Sequence, residues 1–388
     1  MTKRMTKRMT KRMTKRMTGR TTRSATVAVV ACAVVAVWPG ATANATASAE
    51  STAGATGLGV GAGGGAGVER ISVATDGTQA DDASAGASIT PDGRHVVFAS
   101  SAKNLTSDTS TGGDKVFVRD RRTGQVGRIG YLTTLQSPVI SGDGEHVAYP
   151  VQWMNDVRIR QYQVSTGRTI SADCSAHSCS QPSLGADGRH IALAIRFKAP
   201  LSGQRVEVQD WNTGAKQTVA DLGHTLPARP SLSGDSRRLA YQDAQAEDVF
   251  VWDRAGGTTS GPIEGPAKAA SLVQLSDDGG KVVYLSGSDT YVHDMSSGTA
   301  QQVPNARGVA IDPTGRHLLY APRAAGGPSL VLRDLRTGTD ETISDRPATA
   351  GTDAVSADGR DVVFQSAADD IVPGDTNGTS DVFVRHLY

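Results

Sequence analysis

The sequence predicts an all-β fold, a seven-bladed β-propeller of four-stranded blades, and three observations carry this prediction. One motif recurs seven times between residues 89 and 364: an apolar residue, two small or polar residues, a tight turn, a polar pair and an apolar triplet. Successive turns lie about 44 residues apart, a period typical of propellers built from short strands. Only 5% of the residues are aromatic and 44 are glycine, which favours turns and short strands over long helices.

The first 43 residues predict an export signal. Residues 1–16 are four copies of Met-Thr-Lys-Arg, an apolar run follows over 25–38, and small residues at 41–43 offer a cleavage site. The apolar run is shorter than the ~20 residues that a membrane-spanning helix needs. We therefore expect a signal peptide over 1–43, a secreted or extracellular protein, with anchoring to the cell envelope as the alternative, and no membrane span after cleavage. Lipidation at Cys32 and an uncleaved anchor are the alternatives.

Residues 44–67 are rich in Ala, Gly, Ser and Thr and predict a flexible linker, which leaves 68–388 for the propeller. Residues 1–43 hold ten of the 40 Lys and Arg and no acid, so the rest carries 30 Lys and Arg against 39 Asp and Glu, a formal charge of −9. This balance argues against nucleic-acid binding through a broad cationic surface.

The first two strands of each blade follow from the motif. Asp-Gly between apolar runs predicts a hairpin turn, because glycine accepts positive φ. The residue three before the turn is apolar in every copy, and the residue before that is small or polar in most, which predicts a half-buried strand. The apolar set is Ile89, Ile140, Leu184, Leu232, Leu275, Ile311 and Val355. Four histidines, His95, His146, His190 and His317, share one hairpin position and are expected to ring the propeller without meeting.

The outer strands complete each blade. The triplet after the turn ends in an aromatic residue in six copies, which we expect to pack between adjacent sheets. A third strand follows, as in 116–118, and a fourth, as in 341–343. The third strand runs into an aspartate in five copies: Asp120, Asp210, Asp253, Asp294 and Asp334. We interpret these acids as acceptors of turn hydrogen bonds and not as a catalytic ring.

Closure of the ring uses both ends of the chain. The seventh copy stops after its third strand at Tyr388, whereas residues 68–73 resemble a strand and have no repeat of their own. An unpaired sheet edge is a liability that closure removes. We therefore expect the N-terminal strand to pair with the C-terminal blade.

Two segments carry a family resemblance. Pro-Ser-Leu-Ser-Gly-Asp-Ser-Arg-Arg-Leu-Ala-Tyr at 230–241 and Asp-Val-Phe-Val-Arg at 381–385 resemble the TolB-like, WD40-like (PD40) propeller repeats of secreted bacterial proteins. The resemblance covers residues 68–388 and implies the fold without an activity. Relatives that join such a propeller to a hydrolase domain carry Gly-x-Ser-x-Gly, which this sequence lacks.

Cys174 and Cys179 are the thiols that remain after signal removal. In an exported protein such a close pair predicts a disulfide. A zinc site with His177 would lack a fourth ligand.

Asp375, Asn377 and Asp381 place oxygen atoms ahead of the last strand, with Gly378 between them for a bend. Calcium prefers such ligands, so this segment is a weak candidate calcium site, with a simple surface turn as the alternative. No other cofactor is expected.

The axial channel is the expected ligand site. Strand alternation directs Ser231 and Gln274 toward it, and the positions two residues before the channel-facing ones form a mouth with Ser137, Gln181, Arg229 and Thr352. Arg229 is the one charged residue among these mouth positions, and Arg307 lies one residue away from the corresponding position of its blade. We expect Arg229 to bind an acidic or carboxylate-bearing ligand. The alternative is a water-filled channel lined by small polar residues.

A complete propeller without an appended catalytic domain predicts a non-catalytic, monomeric scaffold that binds a protein or a small extracellular ligand. No catalytic residue is assigned in this hypothesis. The alternative is an extracellular hydrolase or lyase that acts on carbohydrate or peptide and uses a channel-mouth carboxylate such as Asp353.

Overall fold

The computed structural model describes residues 67–107, 112–174, 177–198, 203–221, 228–243 and 245–388. The predicted signal peptide, its Cys32 and all but the last residue of the predicted linker lie outside these residues. Within the described ranges, no helix is both long and apolar enough to cross a lipid bilayer.

The described chain folds into seven antiparallel blades in a ring, as predicted. It begins with β1 (Gly67–Arg70). Blades 1 to 3 then comprise β2 (Ser84–Ile89), β3 (His95–Ser100), β4 (Lys115–Asp120), β5 (Val126–Ile129), β6 (Val139–Ile140), β7 (His146–Trp153), β8 (Asp156–Gln163), β9 (Thr169–Ser171), β10 (Ser178–Leu184), β11 (His190–Arg196), β12 (Gln204–Asp210) and β13 (Lys216–Asp221). Blades 4 to 6 comprise β14 (Ser231–Leu232), β15 (Arg238–Asp243), β16 (Asp248–Asp253), β17 (Thr258–Ile263), β18 (Ser271–Leu275), β19 (Lys281–Ser286), β20 (Asp289–Asp294), β21 (Ala300–Val303), β22 (Ala306–Ile311), β23 (His317–Pro322), β24 (Leu330–Asp334) and β25 (Asp340–Ser344). In each of these blades the first strand is innermost.

The seventh blade joins the two ends of the chain and confirms the predicted closure. A 3-10 turn (Ala357–Gly359) precedes β26 (Asp361–Ser366), which pairs with β27 (Asp381–His386). Strand β1 adds to the outer edge of β27, with Gly67 opposite His386 and Arg70 opposite Phe383. The innermost segment of this blade meets β26 only through isolated bridges, Thr349 to Gln365 and Val355 to Val362.

The predicted alternation places the core between the blades. Six residues of the apolar set are buried, and Leu184 is partly buried. Aromatic residues on neighbouring strands stack in four blades, as in Phe98 with Phe117 at 5.8 Å between ring centroids and Tyr284 with Tyr291 at 5.4 Å. Hydrophobic burial at the blade interfaces therefore follows the repeat.

The hairpin end of the propeller repeats a contact between blades. Each of three hairpin glycines packs on the histidine of the preceding blade: Gly144 on His95, Gly188 on His146, and Gly359 on His317. A Cβ atom on Gly359 would lie 2.7 Å from Cγ of His317, and Gly359 has a φ of 68°. Glycine is required at this turn for both reasons.

Backbone hydrogen bonds tie this end of the ring together. The Ala186 N–H donates to the Gly234 carbonyl at 2.8 Å, the Gly234 N–H to the Asp277 carbonyl at 2.8 Å, and the Ala357 N–H to the Pro91 carbonyl at 2.8 Å. Each of these residues comes directly before its hairpin turn. The hairpin end of the channel is thus held by the backbone itself.

The aspartates that end the third strands accept turn hydrogen bonds, as predicted. Asp334, for example, accepts from the backbone N–H groups of Arg336 at 2.8 Å and Thr337 at 3.2 Å. The sequence-based interpretation missed their ion pairs with the hairpin cations, as between Arg316 and Asp334 at 2.7 Å. In four of these blades an arginine lies two residues after the first turn residue, and this pattern in the sequence could have predicted the ion pairs.

Candidate functional site

The channel opens at the end opposite the hairpins into a cavity of about 510 Å³. Its walls come from the first residues of the inner strands, which begin at this end and run toward the hairpins. Every residue predicted for the channel lines this cavity: Ser137, Gln181, Arg229, Ser231, Gln274 and Thr352. The structure therefore brings the predicted set together, and we refer to this cavity as the mouth.

Irregular backbone shapes the mouth. The pairing register shifts within β10 between Ser180 and Ser183, and within β22 between Gly308 and Ala310. A bulge of this kind bends a strand and re-aims its side chains. Gln181 and Arg229 have φ values of 54° and 46°, each six residues before its turn. Such left-handed backbone costs about 1–3 kcal/mol per non-glycine residue and concentrates at functional sites.

Arg229 extends into the mouth, where one guanidinium N–H donates to the Leu272 carbonyl at 3.2 Å. Its backbone N–H donates to Oε1 of Gln181 at 3.0 Å. Burial among the blades lowers the pKa of Arg229 although its side chain remains open to the solvent of the mouth, and the charge of Arg307 lowers it further. Two neighbouring cations favour an anion between them, because the anion offsets their mutual repulsion.

Arg307 also lines the mouth, although simple strand alternation placed it outside the register. The bulge in β22 is the reason: Gly308 and Ala310 oppose consecutive residues of β23, so the facing of every earlier residue is inverted. Among the described residues, no carboxylate pairs with Arg229 or Arg307. The mouth is therefore a cationic site on an acidic body.

A side-chain hydrogen bond crosses the channel below the mouth. Nε2 of Gln274 donates to Oδ1 of Asp353 at 2.7 Å, and Oε1 of Gln274 accepts the Ile311 N–H at 3.1 Å. Asp353 has a φ of 57° within the irregular inner segment of the seventh blade. Below this bond lies a second chamber of only about 30 Å³, whose lining includes Asp277. The pair of Gln274 and Asp353 forms the floor of the mouth.

Both channel carboxyl groups hold their protons more tightly than usual. Desolvation raises the pKa of Asp353 to about 6. Desolvation, followed by repulsion from the Asp353 charge, raises the pKa of Asp277 to about 7. The channel admits water to both side chains, which are half-buried, but the blades around them disfavour the charged form. Asp353 is thus poised to accept or donate a proton near neutral pH.

The small polar residues of the channel hold blade to blade. Oγ of Ser183 accepts the Leu232 N–H at 2.9 Å, and Oγ of Ser231 accepts the Leu275 N–H at 2.9 Å. Gln274 and Ile311 make the same link one blade further on. Ser231 and Gln274, predicted to contact ligand, thus also stabilise the ring.

Cys174 and Cys179 form the predicted disulfide, with their Cα atoms 5.8 Å apart. Both cysteines are fully buried: Cys174 follows the outer strand of blade 2, and Cys179 lies in β10, the inner strand of blade 3. Since the sulfur atoms are bonded to each other, they do not form a zinc site.

The predicted calcium ligands lie close together around a cation of the chain. Arg70 pairs with Asp375 at 3.2 Å and with Asp381 at 3.6 Å, and Nε2 of Gln79 donates to both carboxylates, at 2.8 and 2.7 Å. Nδ2 of Asn377 donates to Asp381 at 3.3 Å. Calcium binding here stays a prediction, which thermal unfolding with calcium and with excess chelator would test.

Comparisons with known proteins give the fold. No family model and no curated protein matches the chain. Among solved structures, an oligogalacturonate lyase in complex with manganese shares 14% identity at a TM-score of 0.61, over 84% of this chain and 94% of that one. The oligogalacturonate lyase of Vibrio parahaemolyticus shares 12% at a TM-score of 0.61, over 83% and 93%. TolB of Acinetobacter baumannii shares 15% at a TM-score of 0.46, over 67% and 62%.

These structures correct the expectation of a non-catalytic scaffold, which was wrong. It depended on the premise that a propeller without an appended catalytic domain is not an enzyme. Two lyases are matched over 93% and 94% of their own chains by this propeller, so the premise fails. The sequence feature that points to an enzyme is Asp353, the carboxylate of the alternative hypothesis.

The manganese of one neighbour does not fit the mouth of this chain. Mn²⁺ takes several oxygen or nitrogen ligands. Within the described residues, no group of three His, Cys, Asp or Glu side chains is placed to hold a metal. The carboxylate that lines the mouth, Asp353, is engaged by Gln274, and the charged groups that line it besides are the cations Arg229 and Arg307.

Proposed function

We propose that the protein is an extracellular lyase of acidic oligosaccharides, with its active site in the mouth. The observation that carries this proposal is the combination of Arg229, Arg307 and Asp353 in one cavity of about 510 Å³. The arginines have no carboxylate partner among the described residues, and Asp353 has a pKa raised to about 6. A cationic cavity with a proton acceptor suits a negatively charged substrate that loses a proton.

The chemistry of a uronate fits these groups. When cations neutralise the sugar carboxylate, the adjacent C5–H bond becomes more acidic. A base removes this proton, the electron pair forms a C4=C5 double bond, the C4–O bond breaks, and the leaving oxygen takes up a proton. Arg229 and Arg307 would bind the carboxylate, and Asp353 would be the base. Because Gln274 holds Oδ1 of Asp353, Oδ2 is left for the proton.

Elimination fits the mouth better than glycoside hydrolysis does. Hydrolases use two carboxyl groups on either side of the scissile bond. Among the described residues that line the mouth, Asp353 is the single carboxylate. Asp277 lines the lower chamber, on the other side of the bond between Gln274 and Asp353. The lyases with similar folds act on oligogalacturonate by name, which agrees with an acidic substrate for the cationic mouth.

The proposal is tested with purified protein and a panel of uronate oligosaccharides, by the ultraviolet absorbance of the unsaturated product. We expect product from at least one uronate substrate and none from neutral oligosaccharides of equal length. Absence of unsaturated product from every uronate, or the same rate for Asp353→Asn as for the wild type, would contradict the proposal.

Export is part of the same proposal. The disulfide between Cys174 and Cys179 favours an oxidising compartment, in line with the basic and apolar N-terminal sequence. Immunoblots of culture supernatant and cell fractions would test it. Protein confined to the cytosol with free thiols would contradict export.

A further inference from the structure

An exposed aromatic surface lies beside the mouth, in the connection from blade 1 to blade 2 and at the end of β7. Tyr131 is 76% exposed, Leu135 46%, Trp153 46% and Met154 83%. Among the described residues, these are four of the five exposed large hydrophobic side chains, and the fifth, Tyr388, is at the C-terminus. Soluble proteins seldom group such side chains without a use. We call Tyr131, Leu135, Trp153 and Met154 the aromatic rim.

The aromatic rim is continuous with the mouth. Tyr131 and Leu135 lie in the connection from β5 to β6, Trp153 is the last residue of β7, and Met154 lies in the turn that leads to β8. Both segments belong to the end of the propeller where the inner strands begin. The Leu135 N–H donates to the Pro150 carbonyl at 2.9 Å, and the next two residues along the chain, Gln136 and Ser137, line the cavity.

The two segments of the aromatic rim run side by side. Thr134 bridges antiparallel to Val151. This bridge fixes the connection that carries Tyr131 and Leu135 against β7, the strand that ends at Trp153. The two aromatic side chains therefore lie on adjacent segments at the same end of the propeller.

Each ring of the aromatic rim carries a cation on one side. The guanidinium of Arg128 lies 4.6 Å from the ring centroid of Tyr131, and that of Arg160 lies 5.5 Å from the ring centroid of Trp153. Such contacts restrain the rings and place positive charge next to an apolar face. A flat apolar surface with adjacent cations complements a sugar ring that bears a carboxylate, because the C–H face of a pyranose packs on aromatic rings.

We propose that the aromatic rim is a subsite for further sugar units of an acidic oligosaccharide whose reacting unit lies in the mouth. This inference rests on the proposed function and deepens it: the substrate is a chain of several uronate units that extends from the mouth across blade 2. The occupant follows from the continuity of the aromatic rim with the mouth and from the cations beside its rings.

The experiment measures binding apart from catalysis. Calorimetry with the Asp353→Asn protein gives affinities for uronate dimers and for hexamers, with and without a second change, Trp153→Ala or Tyr131→Ala. We expect each second change to weaken hexamer binding about tenfold and to leave dimer binding unchanged. Tyr388→Ala, which removes an exposed ring away from the mouth, is the matched control and should change neither affinity. Unchanged thermal unfolding shows that the exposed substitutions leave the fold intact.

The outcomes separate the two proposals. Equal hexamer affinity with and without Trp153 and Tyr131 would overturn the subsite and leave the proposed function standing. An equal loss of affinity for dimers and hexamers would also overturn the subsite, since the substitutions would then change binding in the mouth itself. Hexamers that bind in the expected pattern but are not cleaved by the wild type would overturn the proposed function alone. If no uronate oligomer binds, or if neutral hexamers bind as tightly, the subsite for acidic sugars is refuted.

Discussion

The two ends of the channel are built from the same seven inner segments and differ in almost every property. At the hairpin end, backbone hydrogen bonds pass from blade to blade and hairpin glycines pack on histidines. At the mouth, strands are bulged, Gln181, Arg229 and Asp353 take left-handed backbone conformations, and two arginines face a cavity. The pairing of several inner strands is regular toward the hairpins and shifts in register toward the mouth. Proteins commonly break local structural rules at their functional sites, so the irregular backbone favours the mouth as such a site.

The aspartates show the same contrast. At the hairpin end, Arg189 donates hydrogen bonds to Asp210 and Arg316 to Asp334, and both hold the pKa of the carboxylate well below its usual range. In the channel, desolvation raises the pKa of Asp353 to about 6 and that of Asp277 to about 7. The same residue type therefore has a lowered pKa where an arginine pairs with it on the hairpin surface and a raised pKa where the channel desolvates it.

The largest effect is expected from Asp353→Asn. The amide keeps an oxygen that can accept from Gln274 but cannot take a proton, so we expect the lyase rate to fall by about 10²–10⁴-fold. Steady-state kinetics on the best uronate substrate measure it. Asp334→Asn, a change of the same atoms at the hairpin end, is the control and should leave kcat unchanged. A fall of less than fivefold in Asp353→Asn would argue against its role as the base.

A smaller effect is expected from removing either arginine of the mouth. Arg229→Ala and Arg307→Ala each delete a cation that no described carboxylate engages, so we expect kcat/KM for uronate substrates to fall by about 10–100-fold without loss of thermal stability. Arg237→Ala, which breaks the hairpin-end pair with Asp253 (3.3 Å), should leave kcat/KM unchanged. An equal fall of kcat/KM in all three variants would show that substrate binding depends on the total surface charge and not on the arginines of the mouth.

The glycines of the hairpin end offer a test of stability without a change in activity. Gly359→Ala adds a Cβ atom 2.7 Å from Cγ of His317 at a φ of 68°, so we expect a loss of about 2–4 kcal/mol in the free energy of unfolding. Gly338→Ala is the matched control: φ is 75°, and no heavy atom lies within 4 Å of its added Cβ, so about 1 kcal/mol is expected. Urea unfolding measures both. Equal losses would mean that the contact with His317 costs nothing.

The smallest effect is a pH dependence of opposite sign at the two ends. The pKa of Asp353 is raised in the folded state to about 6 from 3.8, so the folded state binds the extra proton, and this group's contribution to stability is lost as pH rises from about 4 to about 6. The lowered pKa values of Asp210 and Asp334 act in reverse, since their contribution is present above pH 3.8 and is lost as pH falls below it. Asp353→Asn should reduce the slope of the unfolding free energy between pH 4 and 6, with the remaining slope due to Asp277, and leave the acid limb in place. An unchanged profile would contradict the raised pKa.

The fold was predictable because its information is local. The turn at Asp92 and the alternation of Ser88 and Ile89 lie within six residues of each other, and the motif repeats seven times. The closure by β1 followed from simple counting of strands. The predicted mouth residues do line one cavity, since strand alternation and the repeat together assign which side faces the axis.

The chemistry was less predictable, because it depends on exceptions to the repeat. The regular repeat contains no signal for a reaction, and Asp353 lies in the irregular inner segment of the seventh blade. The repeated motif does not predict that Tyr131 and Trp153 are exposed. Both residues lie in or next to connecting segments whose length and sequence vary between blades.

The sequence by itself determined the number of blades, the strand that closes the ring, the disulfide and the register of the regular strands, because turns, alternation and spacing act over a few residues. Only the tertiary structure decided that Arg307 joins Arg229, because the bulge in β22, like those in β2, β10 and β18, shifts the facing of the residues before it. It also decided that Gln274 meets Asp353, 79 residues away, where desolvation changes the pKa of a carboxyl group. Burial and distance are properties of the closed ring, and no local pattern contains them.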